Sequence, residues 1–97
     1  MKIEFGPAKS EKNARERGLA FDLVADFDFE SAQITKDERR DYGEVRYRAV
    51  GRLNDAVAVV VFTTRHEAVR VISLRLANRK ERSRYEEEDQ DQGGHTG

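Results

Sequence analysis

The chain has 97 residues, of which 37% are apolar and 38% charged, and its formal net charge is -1. This length suffices for one core and excludes a second domain, while the lack of cysteine excludes a disulfide framework and a thiolate metal site. The longest apolar run, residues 56–62, is far shorter than the ~20 residues of a membrane helix, and no apolar signal peptide follows Met1, so a cytoplasmic protein is expected.

The N-terminal part predicts one short strand and two helices. Residues 2–5 alternate polar and apolar side chains, as a strand does. Pro7 suits the first turn of a helix, which we expect to run to Arg17 and to end at Gly18. This helix is almost entirely polar and is expected on the surface. A second helix over residues 21–27 carries an apolar stripe and is expected to fill the core.

The middle of the chain predicts a brief strand and then two β-hairpins. The brief strand is centred on Ile34, and a charged connection follows it as far as Gly43. Residues 45–50 alternate and residues 57–63 are rich in β-branched side chains, which predicts a hairpin that turns at Asn54 and Asp55. A second hairpin is expected to turn at His66 and Glu67 and to continue into residues 69–74.

These two turns predict which side chains share a face of the sheet. Opposed residues of an antiparallel pair point to the same side, so the turns predict two neighbouring rows. The apolar row contains Tyr47, Phe62 and Val71, and the polar row contains Arg46, Thr63 and Arg70. We expect Arg48, opposite Val61 and Ile72, to extend the polar row. Arg75 is expected on the other side, with Val71 and Ser73.

Charge is concentrated toward the C-terminus, where residues 69–85 predict a strand that runs into a basic helix. Residues 65–84 contain seven basic and two acidic residues, and five acidic residues follow between Glu86 and Asp91. A domain over residues 1–88 with a disordered acidic tail over residues 89–97 is therefore predicted. The acidic run is either a solvated tail or an internal phosphate mimic that folds back onto the arginines.

The elements together predict an α+β fold. We expect a small antiparallel or mixed sheet of about four to five strands, with N-terminal helices packed on one face and a helix at the C-terminus. The other face bears arginines, and clustered guanidinium groups suit the bidentate recognition of phosphate. The alternative is that these arginines pair with nearby carboxylates and only solvate the surface.

Four sequence blocks, in this order and spacing, resemble the BrnT-type toxins of bacterial type II toxin-antitoxin systems. The likeness runs from Ile3 to about Glu86. The blocks are FGPAKSEKNARERGLAF, YGEVRYRAVG, VVFTTR and VRVISLRLANRKERSRYE. The sequence departs from the family at Gly6, where an aspartate is common before the proline, and at Arg17, where a histidine is frequent. If either usual residue contributes to catalysis, the activity here is weakened or is carried differently.

The resemblance implies a small ribonuclease with a RelE-like fold that inhibits growth by cleaving RNA. It also implies a ribbon-helix-helix antitoxin of the BrnA type as partner, whose complex with the toxin binds its own promoter DNA. Two other functions remain open from the residues alone. One is a nucleic-acid-binding module without catalysis, and the other is a protein-interaction module whose basic helix receives an acidic partner.

Cleavage of RNA without a metal needs a base for the 2′-hydroxyl and cations for the developing charge on the phosphate. Glu44 is a candidate base, and a simple ion pair with Arg46 is the other interpretation. Tyr85 either orients substrate by stacking on a base or anchors the last helix. The predicted cationic catalytic residues are Lys9, Arg46, Arg65 and Arg70. Further predicted RNA-binding residues are Arg48, Arg75, Arg79, Lys80 and Arg82.

No cofactor and no metal site are predicted. The acidic residues Asp22, Asp26 and Asp28 are interpreted as a solvated helix end, and the sequence has no glycine-rich phosphate loop within the domain. Of the two histidines, His66 lies at a predicted turn and His95 in the predicted tail. Neither is expected to transfer protons, although histidine has the most suitable unperturbed pKa.

Overall fold

The computed structural model describes the backbone of residues 2–94 and the side chains of residues 2–89. The described chain forms five strands, two α-helices and one 3-10 helix. In chain order these are β1 (Lys2–Glu4), α1 (Pro7–Arg17), the 3-10 helix (Phe21–Asp26), β2 (Gln33–Lys36), β3 (Tyr47–Leu53), β4 (Ala56–Arg65), β5 (Ala68–Leu76) and α2 (Arg79–Gly94). Within this range no helix is both long and apolar enough to span a bilayer.

The five strands form one mixed sheet in the order β1-β5-β4-β3-β2. Strand β1 runs parallel to β5, and the remaining neighbours are antiparallel. The predicted α+β fold with a small mixed sheet is therefore confirmed. The two hairpins form its centre, because β4 pairs on both sides along most of its length.

Helix α1 begins and ends where the sequence predicts. Pro7 stands in its first turn, and Gly18 follows its last residue with a left-handed φ of 74°. Its side chains are mostly polar, and hydrogen bonds attach it to β5 and to the segment that follows the helix. The Asn13 amide donates to the carbonyl oxygens of Leu19 and Leu74 at 2.7 and 2.8 Å. Ser10 accepts from the Phe21 amide at 2.9 Å and so fixes the start of the 3-10 helix.

One face of the sheet packs against the N-terminal elements and forms the main core. Residues 21–26 adopt a 3-10 helix where a helix of unspecified type is predicted, and their apolar stripe fills the core as expected. Phe21 and Val24 are each only 1% exposed. The strand residues of this core come from alternate positions, among them Ala49, Ala58, Val60, Phe62, Val71 and Leu74.

Both hairpins turn at the predicted residues, and the predicted register holds near the turns. Tyr47 pairs with Phe62, Phe62 with Val71, and Thr63 with Arg70. His66 and Glu67 have φ angles of 52° and 66°, so both central residues of the second turn are left-handed. Such a turn matches the twist of the strands on either side of it.

A β-bulge changes the register farther along the second hairpin and makes two predictions wrong. Val61 pairs with Ser73 instead of Ile72, because one extra residue of β5 is inserted between Val71 and Ser73. A one-residue shift reverses which face each later side chain occupies. Arg75 therefore pairs with Val59 and joins Arg48 on the same side of the sheet, where the sequence predicts the opposite side.

The second face of the sheet carries Arg46, Arg48, Arg70 and Arg75 and is called here the arginine face. Helix α2 covers one end of it, so this face is only partly open. Tyr85 of α2 is 1% exposed and packs with Val50, Val57, Val59 and Ala77 in a second small core. The predicted domain end near Glu88 falls inside α2, and residues 95–97, with His95, lie outside the described range.

Candidate functional site

Strand alternation and one loop bring the predicted catalytic arginines to the open end of the arginine face. Arg46 directly precedes β3, and its carbonyl oxygen accepts from the Asp37 amide at 2.8 Å, which continues the β2–β3 pairing. Thr63 donates its hydroxyl to the carbonyl oxygen of Val45 at 2.6 Å. The backbone around Arg46 is thus held from both neighbouring strands.

Glu44 lies between two guanidinium groups at this open end. Its carboxylate accepts from Arg46 Nε at 3.1 Å and lies 3.9 Å from an Arg65 nitrogen. The three side chains are 32%, 25% and 51% exposed respectively, so water and a ligand reach them. We call Glu44, Arg46 and Arg65 the Glu44 cluster. The structure brings these three predicted residues together.

Tyr42 belongs to the same site, although the sequence did not indicate it. The Arg46 guanidinium lies over the Tyr42 ring, 4.1 Å from its centroid. The Tyr42 hydroxyl donates to Asp37 at 3.2 Å, and Arg39 holds Asp37 through two bonds of 2.8 Å. These bonds, chiefly those from Arg39, keep the pKa of Asp37 well below its usual range. The Tyr42 ring therefore supports the Arg46 guanidinium that also binds Glu44.

A second glutamate binds two arginines farther along the same face, beneath the start of α2. Arg75 donates two bonds to Glu81, at 2.7 and 2.8 Å, and Arg48 donates a third. Glu81 is only 14% exposed. The bonds from Arg75, together with one from the Asn78 amide, lower the pKa of Glu81 from 4.5 to about 2. We call Glu81, Arg48 and Arg75 the Glu81 cluster.

Glu81 also caps its own helix. The Asn78 side chain accepts from the Glu81 amide at 2.8 Å, while the Glu81 carboxylate accepts from the Asn78 amide at 2.9 Å. This reciprocal pair is a capping box, and it fixes the first turn of α2. The predicted RNA-binding residues Arg48 and Arg75 therefore hold α2 on the sheet in this structure.

The remaining predicted residues lie around these two clusters. Arg70 is on the arginine face and lies 3.7 Å from Glu4 of β1. Lys9 lines a cleft of about 220 Å³ beside the bulged part of β5, which Lys12, Arg17 and Ser73 also line. Lys9 thus lies on α1 beside β5, apart from the Glu44 cluster. Exposed positions on α2 are occupied by Arg79, Lys80 and Arg82.

Tyr85 occupies the position of an anchor. Its ring is buried against the sheet, and its hydroxyl lies 3.5 Å from the Ser31 hydroxyl. The Arg52 guanidinium lies 5.9 Å from the ring centroid. Of the two roles that the sequence leaves open for Tyr85, this burial matches the attachment of α2, because a covered ring has no free face for a base.

The first residues of the C-terminal acidic run lie on helix α2. Glu88 lies 3.8 Å from Arg84 along α2, and both side chains are largely exposed. The carboxylate that reaches Arg48 and Arg75 is that of Glu81, which precedes the run. The side chains beyond residue 89 lie outside the described range. In the described part of the chain, no three side chains of the metal-ligand types converge.

One family comparison gives a match. The family model described as "Ribonuclease toxin, BrnT, of type II toxin-antitoxin system" matches residues 5–81. The match contains all residues of the Glu44 and Glu81 clusters and ends before Tyr85. A search of curated individual proteins finds nothing similar.

Proposed function

The chain belongs to the BrnT family of ribonuclease toxins of type II toxin-antitoxin systems, and we propose that the Glu44 cluster is the place where it cleaves RNA. The observation that carries this proposal is the geometry of the cluster. Two guanidinium groups flank one accessible carboxylate, at 3.1 and 3.9 Å, on an open part of the sheet. The carboxylate is a base and the guanidinium groups are phosphate ligands.

The proposed reaction uses the 2′-hydroxyl of the RNA as nucleophile. An incoming phosphate takes over the hydrogen bond that Arg46 makes with Glu44 and the looser ion pair of Arg65, and this frees the carboxylate to accept the 2′-hydroxyl proton. The 2′-oxygen then attacks phosphorus, and the bond to the 5′-oxygen breaks. The products are a 2′,3′-cyclic phosphate and a 5′-hydroxyl whose proton comes from water. The two arginines stabilise the charge that develops on the phosphate oxygens.

The role of Arg70 in this proposal is to bind a neighbouring phosphate. It stands opposite Thr63 on the arginine face and is 36% exposed, with Glu4 3.7 Å away. An exposed ion pair of this length contributes little stability, so the guanidinium is exchangeable for phosphate. Lys9, on α1 beside β5, is proposed to meet the RNA backbone farther from the reacting phosphate. No step of this reaction requires a metal ion.

In the cell we propose that this activity inhibits translation in the cytoplasm until an antitoxin neutralises it. The proposed antitoxin is a ribbon-helix-helix protein of the BrnA type, and its complex with the toxin binds promoter DNA. The exposed basic residues of α2, Arg79 and Arg82, offer an acidic partner a surface distinct from the Glu44 cluster.

The test is cleavage of RNA by purified protein that has been freed of antitoxin, in buffer containing EDTA. We expect fragments that end in a 2′,3′-cyclic phosphate, and no cleavage where the sugar before the scissile bond is 2′-O-methylated. Intact RNA at high protein concentration contradicts the proposal. Salt-dependent RNA binding without cleavage would instead indicate a nucleic-acid-binding module.

A further inference from the structure

A groove of about 300 Å³ lies between the β2 edge of the sheet and helix α2. From the sheet it is lined by Gln33, Thr35, Arg48 and Val50, and from the helix by Lys80, Glu81, Arg84 and Glu88. We call it the β2–α2 groove. Its volume is at the small end of the range for small-molecule sites, which suits a single nucleotide.

Strand register places this groove next to the Glu44 cluster. Gln33 pairs with Val50, and Thr35 pairs with Arg48, so these side chains share the arginine face. Successive side chains on this face lie roughly 6.6 Å apart along the chain direction of β3. They are those of Arg46, just before the strand, and of Arg48 and Val50 within it. A strand of RNA whose phosphate is bound at Arg46 and which continues along β3 therefore enters the groove with its next nucleotide.

We infer that the β2–α2 groove binds the nucleotide adjacent to the scissile phosphate and reads its base. This inference rests on the proposed function. The small exposed part of Val50 contacts the base, while the Gln33 amide and the Thr35 hydroxyl, each both donor and acceptor, hydrogen-bond its edge. The phosphate of that nucleotide binds Lys80 and Arg84, which are four residues apart and so share one side of α2.

The charges of the groove suit an anionic ligand, because three cations line it against the two carboxylates of Glu81 and Glu88. Arg48 is occupied by Glu81, which leaves Lys80 and Arg84 to meet an anion. Arg84 is 78% exposed and lies 3.8 Å from Glu88, which is itself 49% exposed. Such a loose pair exchanges readily for a phosphate. A base with its phosphate matches the groove. The phosphate meets the two exchangeable cations, and the base meets Val50 and the two side chains suited to base edges.

Binding of RNA that cannot be cleaved tests the inference separately from catalysis. The probes are fluorescent 2′-O-methyl octamers of adenine, cytosine and uracil, and affinity is measured by anisotropy at low and moderate salt. We expect the wild-type protein to prefer one base. Gln33→Ala and Thr35→Val should reduce that preference about tenfold, because each removes a base-edge contact. Arg84→Ala should weaken all three octamers alike and lower the salt dependence.

Two matched controls separate the groove from general effects. Thr64→Val changes an exposed threonine on the opposite face of the sheet, and Arg15→Ala removes an exposed arginine of α1; neither should alter octamer affinity. Equal affinity for all octamers in the wild type, or unchanged preference in both Gln33→Ala and Thr35→Val, overturns the inference. If cleavage also persists, only the groove assignment fails. If octamers bind selectively but RNA is never cleaved, the proposed function fails instead.

Discussion

Glu44 and Glu81 each bind two arginines on the same face of one sheet, yet their surroundings differ. Glu44 is 32% exposed, with partners at 3.1 and 3.9 Å. Glu81 is 14% exposed, with two bonds from Arg75 at 2.7 and 2.8 Å and a third from Arg48. The same pair of residue types thus forms one open and one closed cluster.

The difference shows how burial separates a chemical role from a structural one. Removing a partner from a buried, well-bonded ion pair leaves an uncompensated charge, so Glu81 cannot leave its arginines without a large cost. A partly exposed ion pair contributes little net stability in water, so Glu44 can yield its arginines to a phosphate. We therefore expect changes in the Glu44 cluster to reduce catalysis and changes in the Glu81 cluster to reduce stability.

The largest expected effect is on cleavage rate in Arg46→Ala. Loss of one preorganised donor to a developing oxyanion lowers kcat by about 10²–10³-fold, roughly 2.7–4 kcal/mol. Single-turnover cleavage of a defined RNA measures this loss, and urea unfolding should show nearly unchanged stability. The matched control is Arg15→Ala on α1, which should keep the full rate. A normal cleavage rate in Arg46→Ala would show that the Glu44 cluster has no catalytic role, and the proposed difference between the two clusters would then be wrong.

The next effect is on stability in Glu81→Gln. The substitution removes the charge that Arg48 and Arg75 share, while a glutamine can keep the capping bond to the Asn78 amide, so we expect a loss of ~2–3 kcal/mol. Glu44→Gln, in the exposed cluster, should cost less than about 1 kcal/mol. Urea unfolding of both variants at neutral pH measures the contrast. Equal losses of stability in the two variants would contradict the division into open and closed clusters.

Acid should remove part of the Glu81 contribution. The pKa of Glu81 falls from 4.5 to about 2 on folding, so its stabilising effect is complete above pH 4.5 and is lost as the pH falls toward 2. The difference in unfolding free energy between wild type and Glu81→Gln should be constant near neutral pH and should shrink to roughly half by about pH 3. A difference that stays constant down to that pH would mean that Glu81 keeps an ordinary pKa.

Much of this sheet is predictable from the sequence, because turn residues and alternation specify local register. Asn54 and Asp55 set the first hairpin, and Tyr47 indeed pairs with Phe62. The bulge at Ile72 has no such signal. No glycine or proline in the sequence marks its position, and its effect depends on how β5 packs between β1, β4 and α1. That single inserted residue moved Arg75 to the face of Arg48 and so created the Glu81 cluster.

The sequence indicates residues that the structure brings together in the Glu44 cluster, but it does not indicate how they are arranged. The alternation of β3 and the VVFTTR strand indicated Arg46 and Arg65, and both flank Glu44. Exposure could not be predicted, because it depends on where α2 lies across the sheet. Tyr42 was missed since its contact with Arg46 arises from the conformation of the loop before β3. An aromatic residue beside Gly43 and four positions before an arginine is the one signal that was available.

The smallest expected effect concerns that tyrosine. Tyr42→Leu removes the ring that lies 4.1 Å from the Arg46 guanidinium, and a cation–π contact at an accessible site contributes about 0.5–1 kcal/mol. We expect a two- to fivefold lower kcat. Tyr42→Phe keeps the ring and loses only the bond to Asp37, so it should retain most of the rate.

If Tyr42→Phe is as slow as Tyr42→Leu, the hydroxyl is the important group and the ring does not position Arg46. If both retain the full rate, Glu44 and the backbone of β3 suffice to hold Arg46, and the open cluster is more rigid than its exposure implies.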